Sequence, residues 1–266
     1  MKGRTDGRAI RLAAVGDVHC GVDMGDQIRT QFASVPGHAD GLLLAGDLTR
    51  LGTPEESRVF AAALRDVVDV PVAAVLGNHD HQSDREDEVR AIFEEAEVRV
   101  LDGSSVVWEL DGARVAVAGT KGFGGGFEGT HATAFGEREM KMFVEHTRSL
   151  ADEVDACLRD LGDADFRVLL LHYAPVRDTL AGEPREIFPF LGSYLFAELA
   201  DRHGVDLVLH GHAHRGSERG RTPGGIPVRN VAQAVIQQGY AVYTLDPAGR
   251  GRGARSGVGA DTRRRA

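Results

Sequence analysis

Short apolar runs, each followed by polar residues, divide most of this chain into predicted buried strands. Five of the runs are as short and as continuously apolar as buried strands usually are. They occupy residues 10–15, 41–45, 70–76, 167–171 and 205–209. Segments with the 3.6-residue apolar spacing of amphipathic helices lie between them. This alternation predicts βαβ units in a layered α/β fold.

Local start and turn signals indicate further elements. The segment Thr-Pro-Glu-Glu at 53–56 has the form of a capping box with proline at the first helical position, which predicts a helix that continues to about residue 68. The Asp-Gly pair at 111–112 separates two β-rich runs and predicts a hairpin. Other helices are predicted at 84–96, 137–161 and 190–202, and closing strands at 228–231 and 240–245.

Side chains that bind divalent metals follow each of the five predicted strands. The carboxyl ends of strands are where open α/β sheets place their ligands. Glycines in or before most of these clusters permit sharp turns and close backbone approach. The metal-competent residues are Asp17, His19, Asp47, Asn78, His172, His212 and His214. They supply enough oxygen and nitrogen ligands for two adjacent divalent metals, an arrangement suited to displacement at phosphorus.

The order of these clusters resembles the calcineurin-like metallophosphoesterase family. Its pattern is Asp-x-His, Gly-Asp, Gly-Asn-His-Asp/Glu, His and Gly-His-x-His, and every motif is present here between about residue 10 and residue 245. The resemblance implies an α/β/β/α four-layer sandwich with a dinuclear metal site at the carboxyl ends of the strands. It also implies a division of the ligands: Asp17, His19 and His214 for the first metal, Asn78, His172 and His212 for the second, and Asp47 bridging both.

His79 is left without a metal in that scheme. The resemblance implies that His79 contacts the substrate and protonates the leaving oxygen, and that Asp80 orients it. A histidine can carry a proton near neutral pH, and a neighbouring carboxylate favours its charged form. A hydroxide bridging the two metals would attack phosphorus in line. Mixed oxygen and imidazole ligation suits manganese, iron or zinc as the two divalent metal ions.

The second motif narrows the expected substrate. Phosphoprotein phosphatases resemble Gly-Asp-x-x-Asp-Arg-Gly at this point, whereas this chain has Leu51 in place of the arginine. Gly-Asp-Leu-Thr at 46–49 is similar to a small bacterial branch that includes cyclic-nucleotide phosphodiesterases. We therefore expect a metal-dependent phosphoric ester hydrolase that cleaves a small phosphodiester, with nucleotides among the candidate substrates. Phosphomonoester hydrolysis and nucleotide pyrophosphate cleavage stay open, and a nuclease or a non-catalytic metal-dependent scaffold are further alternatives.

A glycine-rich segment at 119–136 lies between the third and fourth metal motifs. It could overhang the site, although it lacks the Gly-Lys-Ser or Gly-Lys-Thr of a P-loop. Our hypothesis is that Lys121, Phe123 and Phe127 shape substrate entry and that Arg177 clamps phosphate oxygens. A mobile loop without a chemical role is the alternative. His210, two residues before a metal-competent histidine, is expected to be a hydrogen-bonded strand residue rather than a further ligand.

Composition and charge indicate a single cytoplasmic domain over 10–246 of the 266 residues. No apolar stretch approaches the roughly 20 residues that cross a bilayer, so we expect no membrane association. Two cysteines, Cys20 and Cys157, make no disulfide framework.

Residues 248–266 contain six arginines and one aspartate, so the rest of the chain is more acidic than the total charge of −9. We expect the basic tail at 247–266 to be disordered, and the acidic body argues against a nucleic-acid surface.

Overall fold

Two packed sheets form the centre of the molecule. The computed structural model describes residues 9–247 and a two-residue strand at 256–257. The strands in this part of the chain are β1 (Ile10–Val15), β2 (Gly41–Ala45), β3 (Val72–Val75), β4 (Val98–Val100), β5 (Ser104–Leu110), β6 (Ala113–Thr120), β7 (Gly126–Phe127), β8 (Thr130–His131), β9 (Phe166–Leu171), β10 (Leu207–His210), β11 (Arg219–Arg221), β12 (Pro227–Asn230), β13 (Ala241–Leu245) and β14 (Ser256–Gly257).

Helices connect these strands and cover the outer faces of the sheets. The α-helices in the described residues are α1 (Gly25–Phe32), α2 (Val35–His38), α3 (Pro54–Arg65), α4 (Glu86–Glu95), α5 (Arg138–Arg159), α6 (Phe188–Leu191), α7 (Leu195–His203) and α8 (Gln233–Ile236). Two turns of 3₁₀-helix, Asp178–Leu180 and Arg185–Ile187, lie before α6.

The strand order brings the strands that precede the metal motifs to neighbouring positions. The first sheet has the order β14-β13-β1-β2-β3-β4 and the second has the order β11-β12-β10-β9-β6-β5, with β7 and β8 forming a separate ribbon. β1, β2 and β3 are parallel, and so are β9 and β10. Parallel neighbours end at the same edge of a sheet, so the loops after these strands lie side by side.

Three apolar layers define the packing. Between the sheets, residues such as Leu12, Leu43, Val117 and Leu170 are fully buried. A second cluster joins the outer face of the first sheet to α1, α3 and α4, and a third joins the second sheet to α5 and α7. The central strands, such as β1, β2, β3 and β9, therefore have apolar residues on both faces, as strands buried between a sheet and a helix layer require. This arrangement confirms the four-layer α/β/β/α sandwich.

Most of the predicted elements are present. The capping box at the start of α3 is complete, because Thr53 Oγ1 accepts from the Glu56 N–H at 3.3 Å and the Glu56 carboxylate accepts from the Thr53 N–H at 3.5 Å. β5 and β6 form the predicted antiparallel hairpin around the Asp-Gly turn. The helix predicted at 190–202 begins later, at Leu195. The Ala174 N–H donates to the Leu191 carbonyl and the Ser193 N–H donates to the Ala174 carbonyl, so these groups do not form a helical turn.

Two other expectations concern the membrane and the tail. No helix among the described residues is long and apolar enough to cross a membrane. Of the tail predicted at 247–266, the structure describes residue 247 and β14, which pairs antiparallel with β13. The other tail residues lie outside the described part of the chain. The domain boundary at 246 stays a prediction.

Candidate metal centre

Strained backbone places the predicted ligands at the common edge of the two sheets. Asp17, His19, Asp47 and His212 follow β1, β2 and β10, and all have positive φ, at 58°, 50°, 51° and 69°. This left-handed conformation is uncommon for residues other than glycine and is concentrated at functional sites. Backbone bonds connect the loop after β1 to the loop after β2, since the N–H groups of Asp17 and His19 donate to the carbonyls of Gly46 and Asp47.

Glycines let these loops approach the ligands closely. A methyl group on Gly46, where φ is 81°, would lie 2.5 Å from Nδ1 of His172. A methyl group on Gly77 would overlap the carboxylate and the backbone nitrogen of Asp47. The glycines in the second and third motifs therefore serve close packing against metal-competent side chains.

Asp47 lies between two groups of ligands. Its Oδ1 is 3.4 Å from Nε2 of His172, and its Oδ2 is 3.9 Å from Nε2 of His19. The side chain is buried, and the His79 N–H donates to Oδ1 at 2.8 Å. Burial raises the pKa of Asp47 even though His172 lowers it. Because each oxygen of this carboxylate faces a different histidine, Asp47 has the geometry of a bridging ligand.

The surroundings of His172 fit a cation. Its Nδ1–H donates to the Ala45 carbonyl at 2.9 Å, which leaves Nε2 as the ring nitrogen available to a metal. That nitrogen lies 2.9 Å from Oδ1 of Asn78 and 3.4 Å from Oδ1 of Asp47. These three atoms therefore lie close together. A divalent cation would satisfy this set of donors.

A second group of ligands surrounds Asp17. Ligating atoms of Asp17, His19 and His214 lie within 4.8 Å of one another, and the same holds for Asp17, Asp47 and His172. In this structure Nε2–H of His214 donates to Oδ1 of Asp17 at 2.8 Å. Burial alone would raise the pKa of Asp17, but the hydrogen bond from His214 and the charge of His172 lower it below its ordinary value. The two groups share Asp17, so they form one continuous centre.

His212 reaches this centre from the side. Its N–H donates to both oxygens of Asp17, at 3.1 and 2.9 Å, and its ring lies 4.9 Å from the His172 ring. Its Nε2 donates to the Phe190 carbonyl at 3.4 Å, so Nδ1 is the nitrogen left to bind a metal. Burial and the nearby His172 lower the pKa of His212 to about 3. The imidazole is therefore neutral, as a metal ligand must be.

His79 is oriented by a backbone carbonyl rather than by Asp80. Its Nδ1 donates to the Arg50 carbonyl at 2.7 Å, and its Nε2 lies 4.0 Å from Oδ2 of Asp47. The ring packs edge-on against His19, with 4.5 Å between ring centres. Nε2 therefore faces the same space as the metal-competent atoms. Its ligating nitrogen also lies within 4.8 Å of those of His19 and Asp47.

Asp80, which the resemblance assigned to orienting His79, joins two loops instead. Its Oδ1 accepts from the N–H and the hydroxyl of Thr49, at 2.8 and 2.6 Å, and its Oδ2 accepts from the N–H groups of Leu48 and Gly77, at 3.1 and 2.8 Å. The carboxylate is fully buried. Four donors occupy its two oxygens, so the expected contact with the His79 ring is replaced by the Arg50 carbonyl.

His210 has the structural role predicted for it. The ring is fully buried, with Nδ1 bonded to the Gly211 carbonyl and Nε2 bonded to the Thr179 hydroxyl, both at 2.8 Å. Burial lowers the pKa of His210 to about 4, so the ring is neutral. Both ring nitrogens are used, which leaves none to bind a metal.

Two of the four proposed substrate residues lie beside the centre. The Lys121 ammonium is 5.1 Å from the ring centre of Phe123 and 5.8 Å from that of Tyr173. The Tyr173 ring is in turn 4.2 Å from the His212 ring. Lys121 and Phe123 are each half-buried. Their position at the metal centre agrees with a role in substrate entry.

The other two residues have different surroundings. Phe127 is only 3% exposed and packs with Leu180, Leu191 and Phe188, so it is a core residue and cannot line an entry. Its apolar ring is covered because the chain from β9 to α7 folds over β7. Arg177 is exposed, donates to the Thr130 hydroxyl and lines a cavity of about 750 Å³. The remaining lining residues of that cavity are Ala181, Gly182, Glu183, Arg185, Glu186, Phe188 and Pro189.

The glycine-rich segment is packed rather than loose. Gly125 donates to the Pro189 carbonyl at 2.6 Å, and Gly126 donates to the Gly192 carbonyl at 2.9 Å. A methyl group on Gly124 would lie 2.5 Å from the Pro189 carbonyl oxygen. These bonds attach the segment to the residues around α6. The alternative of a mobile loop is therefore not supported at residues 124–126.

Sequence reasoning missed several groups that position the site. The carbonyls of Ala45 and Arg50 orient His172 and His79, but a backbone acceptor leaves no signature in residue type. The Tyr173 ring lies against the His212 ring, and its place directly after His172 is the one signal that could have indicated it. Phe190, whose carbonyl accepts from His212, was included in a predicted helix.

The chain is similar to known proteins along most of its length. The family model described as calcineurin-like phosphoesterase matches residues 10–216. The uncharacterized protein YpbG of Bacillus subtilis (strain 168) is 23% identical over 184 residues, which cover 68% of this chain and 54% of YpbG. The chain thus spans about half the length of that relative.

Solved structures share the fold. TT1561 of Thermus thermophilus is 18% identical with a TM-score of 0.54, covering 94% of this chain and 99% of that one. Phosphopantetheinyl hydrolase (PptH) from Mycobacterium tuberculosis is 17% identical with a TM-score of 0.61, covering 98% of this chain and 99% of that one. At these identities the similarity shows the fold alone.

Proposed function

The chain belongs to the calcineurin-like phosphoesterase family, and on that premise we propose that it hydrolyses a phosphodiester at a centre for two divalent metal ions. The observation that carries the proposal is the convergence of lone pairs around Asp47, whose two oxygens face His172 and His19. Oxygen and imidazole donors gathered in this way suit a cation. Two adjacent groups that share a carboxylate suit two cations.

The contacts of the proposed ligands support two groups, one for each metal ion. Asp17, His19 and His214 would hold one metal, because their ligating atoms lie within 4.8 Å of one another. Asn78 and His172 would hold the other, with Nδ1 of His212 as the third donor. Asp47 would bridge. Manganese, iron and zinc all suit these mixed oxygen and imidazole ligands.

The chemistry divides between the ions and His79. Two divalent cations would lower the pKa of a coordinated water and neutralise charge on the phosphate oxygens. Nε2 of His79 faces the same space, while the Arg50 carbonyl fixes Nδ1–H. His79 in its protonated form can therefore donate a proton from Nε2 to the leaving oxygen. We assign it the role of general acid.

A diester is favoured over a monoester because the site lacks the arginine of protein phosphatases. Leu51 occupies that position and is 47% exposed. The neighbouring Arg50 is directed to Met24, with 3.6 Å between Nη2 and the Met24 sulfur. A diester carries one negative charge fewer than a monoester dianion, so it depends less on a guanidinium partner.

The proposal is tested by reconstituting the purified full chain with Mn²⁺, Fe²⁺, Zn²⁺ or Mg²⁺, or with a chelator. Turnover of bis-p-nitrophenyl phosphate is compared with turnover of p-nitrophenyl phosphate. We expect metal-dependent hydrolysis with a higher kcat/KM for the diester. Asp47→Asn should abolish it, and Asp26→Asn, a matched change at a fully exposed carboxylate, should not. Hydrolysis of neither ester with any metal would favour the scaffold alternative.

A further inference from the structure

Lys121 carries an ammonium group that has no ionic partner among the residues the structure describes. Its Nζ makes no hydrogen bond and no ion pair with that part of the chain, and its contacts are with aromatic rings. Three carboxylates favour its charged form without forming an ion pair with it, namely Asp102, Glu86 and, more weakly, Asp47. Asp102 binds Arg90 at 2.9 Å, whereas one buried oxygen of Glu86 has no hydrogen-bond partner in the described part of the chain. Burial lowers the pKa of Lys121, because a half-buried charge without a partner is poorly solvated.

The ammonium is held close to the metal centre. The backbone carbonyl of Lys121 accepts from the N–H groups of His172 and Tyr173, both at 3.0 Å. Its side chain extends over the Tyr173 ring, which lies 4.2 Å from the His212 ring and 5.5 Å from the His172 ring. One aromatic ring thus separates this ammonium from two of the proposed metal ligands.

Aromatic rings continue from this point to solvent. Phe123 lies 5.7 Å from Tyr173 and 5.3 Å from Phe143, and Phe143 lies 6.2 Å from Phe190. Phe190 is 62% exposed, and its carbonyl accepts from His212. The rings therefore form a continuous row, the aromatic wall, from Tyr173 to Phe190. Both of these end residues contact His212. Such a wall suits the apolar or aromatic body of a bound molecule.

The two ester groups of a diester would meet different surroundings here. The general acid His79 packs against His19, whereas Lys121 and the aromatic wall begin at Tyr173, beside His172 and His212. With the leaving oxygen at His79, the other ester group, which stays on phosphorus, is the one that can lie beside the aromatic wall. An anion on that retained group would meet the Lys121 ammonium.

We propose that Lys121 is a specificity-determining residue that binds an anionic group on the retained ester portion of the phosphodiester. The role in catalysis rests on the proposed diester hydrolysis, whereas binding of the anion does not. The ligand class is a phosphodiester with a carboxylate or phosphate on an apolar retained group. An anion at this poorly solvated ammonium would form a charge-assisted hydrogen bond with it, for which we expect about a tenfold preference.

A pair of chromogenic diesters that differ by one charge tests turnover. They are 4-carboxyphenyl p-nitrophenyl phosphate and its 4-carbamoylphenyl counterpart, from which p-nitrophenolate is the better leaving group. A pair of phosphonates that cannot be hydrolysed, 4-carboxyphenylphosphonate and 4-carbamoylphenylphosphonate, tests binding by calorimetry. All are measured on the metal-loaded full chain and on Lys121→Gln, Lys121→Arg and Lys141→Gln. Lys141 is an exposed lysine of α5 and provides the matched loss of charge.

The wild-type chain should bind the carboxylate phosphonate about tenfold more tightly and should hydrolyse the carboxylate diester with about tenfold higher kcat/KM. Lys121→Gln should remove both preferences, and Lys121→Arg and Lys141→Gln should keep them. The absence of a preference in the wild type would overturn the proposal. An equal loss of affinity and of kcat/KM for both members of each pair in Lys121→Gln would also overturn it. A binding preference without any turnover would refute the proposed hydrolysis and leave the anion subsite standing.

Discussion

Replacing Asp80 by asparagine should destabilise the fold more than it affects the chemistry. The carboxylate is fully buried and accepts four hydrogen bonds from the loops that follow β2 and β3. An asparagine has one acceptor oxygen and one NH₂ group. If the NH₂ takes the Oδ2 position, the N–H groups of Leu48 and Gly77 lose their acceptor. If it takes the Oδ1 position, the N–H of Thr49 loses its acceptor.

The expected loss follows from these contacts. Each buried donor left without an acceptor costs about 1–3 kcal/mol, and the bonds to a charged acceptor are lost as well. Burial raises the pKa of Asp80, because the charged carboxylate is poorly solvated there. Replacing it with a neutral amide therefore offsets part of the lost stability. We therefore expect Asp80→Asn to lower the free energy of unfolding by about 2–4 kcal/mol.

Urea unfolding of the metal-free chain in chelator, followed by circular dichroism, measures this free energy without the contribution of bound metal. Asp66→Asn is the matched control, because Asp66 is 49% exposed and binds Arg29 at 2.8 Å. That surface pair should contribute little to stability, because solvent screens it. Equal stabilities of the two variants, together with a loss of kcat in Asp80→Asn alone, would refute the structural role and restore the expected contact with His79.

The other predictions concern the ligands and the glycines. Asp47→Asn should lower the metal content of the purified chain, measured by mass spectrometry, because an amide cannot offer two anionic oxygens. His79→Asn should leave metal content unchanged and lower kcat by roughly 10²–10⁴, most for poor leaving groups. Loss of metal in both variants to the same extent would overturn these roles. Gly77→Ala should destabilise the fold by about 1–3 kcal/mol, because its methyl group overlaps Asp47, whereas Gly37→Ala, which adds a methyl group to open space, should not.

The common position of the proposed ligands was predictable, because each lies close to the end of a strand. His172 directly follows an apolar run, Asp17 and Asn78 follow one after a single glycine, and parallel strands bring such positions to one edge. Helix α3 and the β5–β6 hairpin were predictable for the same reason, since their capping and turn residues are local in sequence.

Roles that depend on distant contacts were not predictable. Asp80 was assigned to its neighbour His79, yet its partners Leu48 and Thr49 lie more than thirty residues earlier. Phe127 was grouped with the rest of a glycine-rich segment, but packing with Leu191 buries it. Residue type shows what a side chain can bond to. Tertiary packing decides which of those bonds forms.

The buried carboxylate of Asp80 helps to hold the strained backbone of the proposed ligands. Asp17, His19 and Asp47 hold left-handed backbone conformations that cost about 1 kcal/mol or more each. Such conformations persist only where surrounding bonds determine them. The Asp80 carboxylate supplies four of those bonds around Asp47, and the Gly46 and Asp47 carbonyls supply two more to Asp17 and His19. The proposed ligands are therefore positioned by the protein itself, and we expect the backbone of the centre to have the same form in chelator as in the presence of divalent metals.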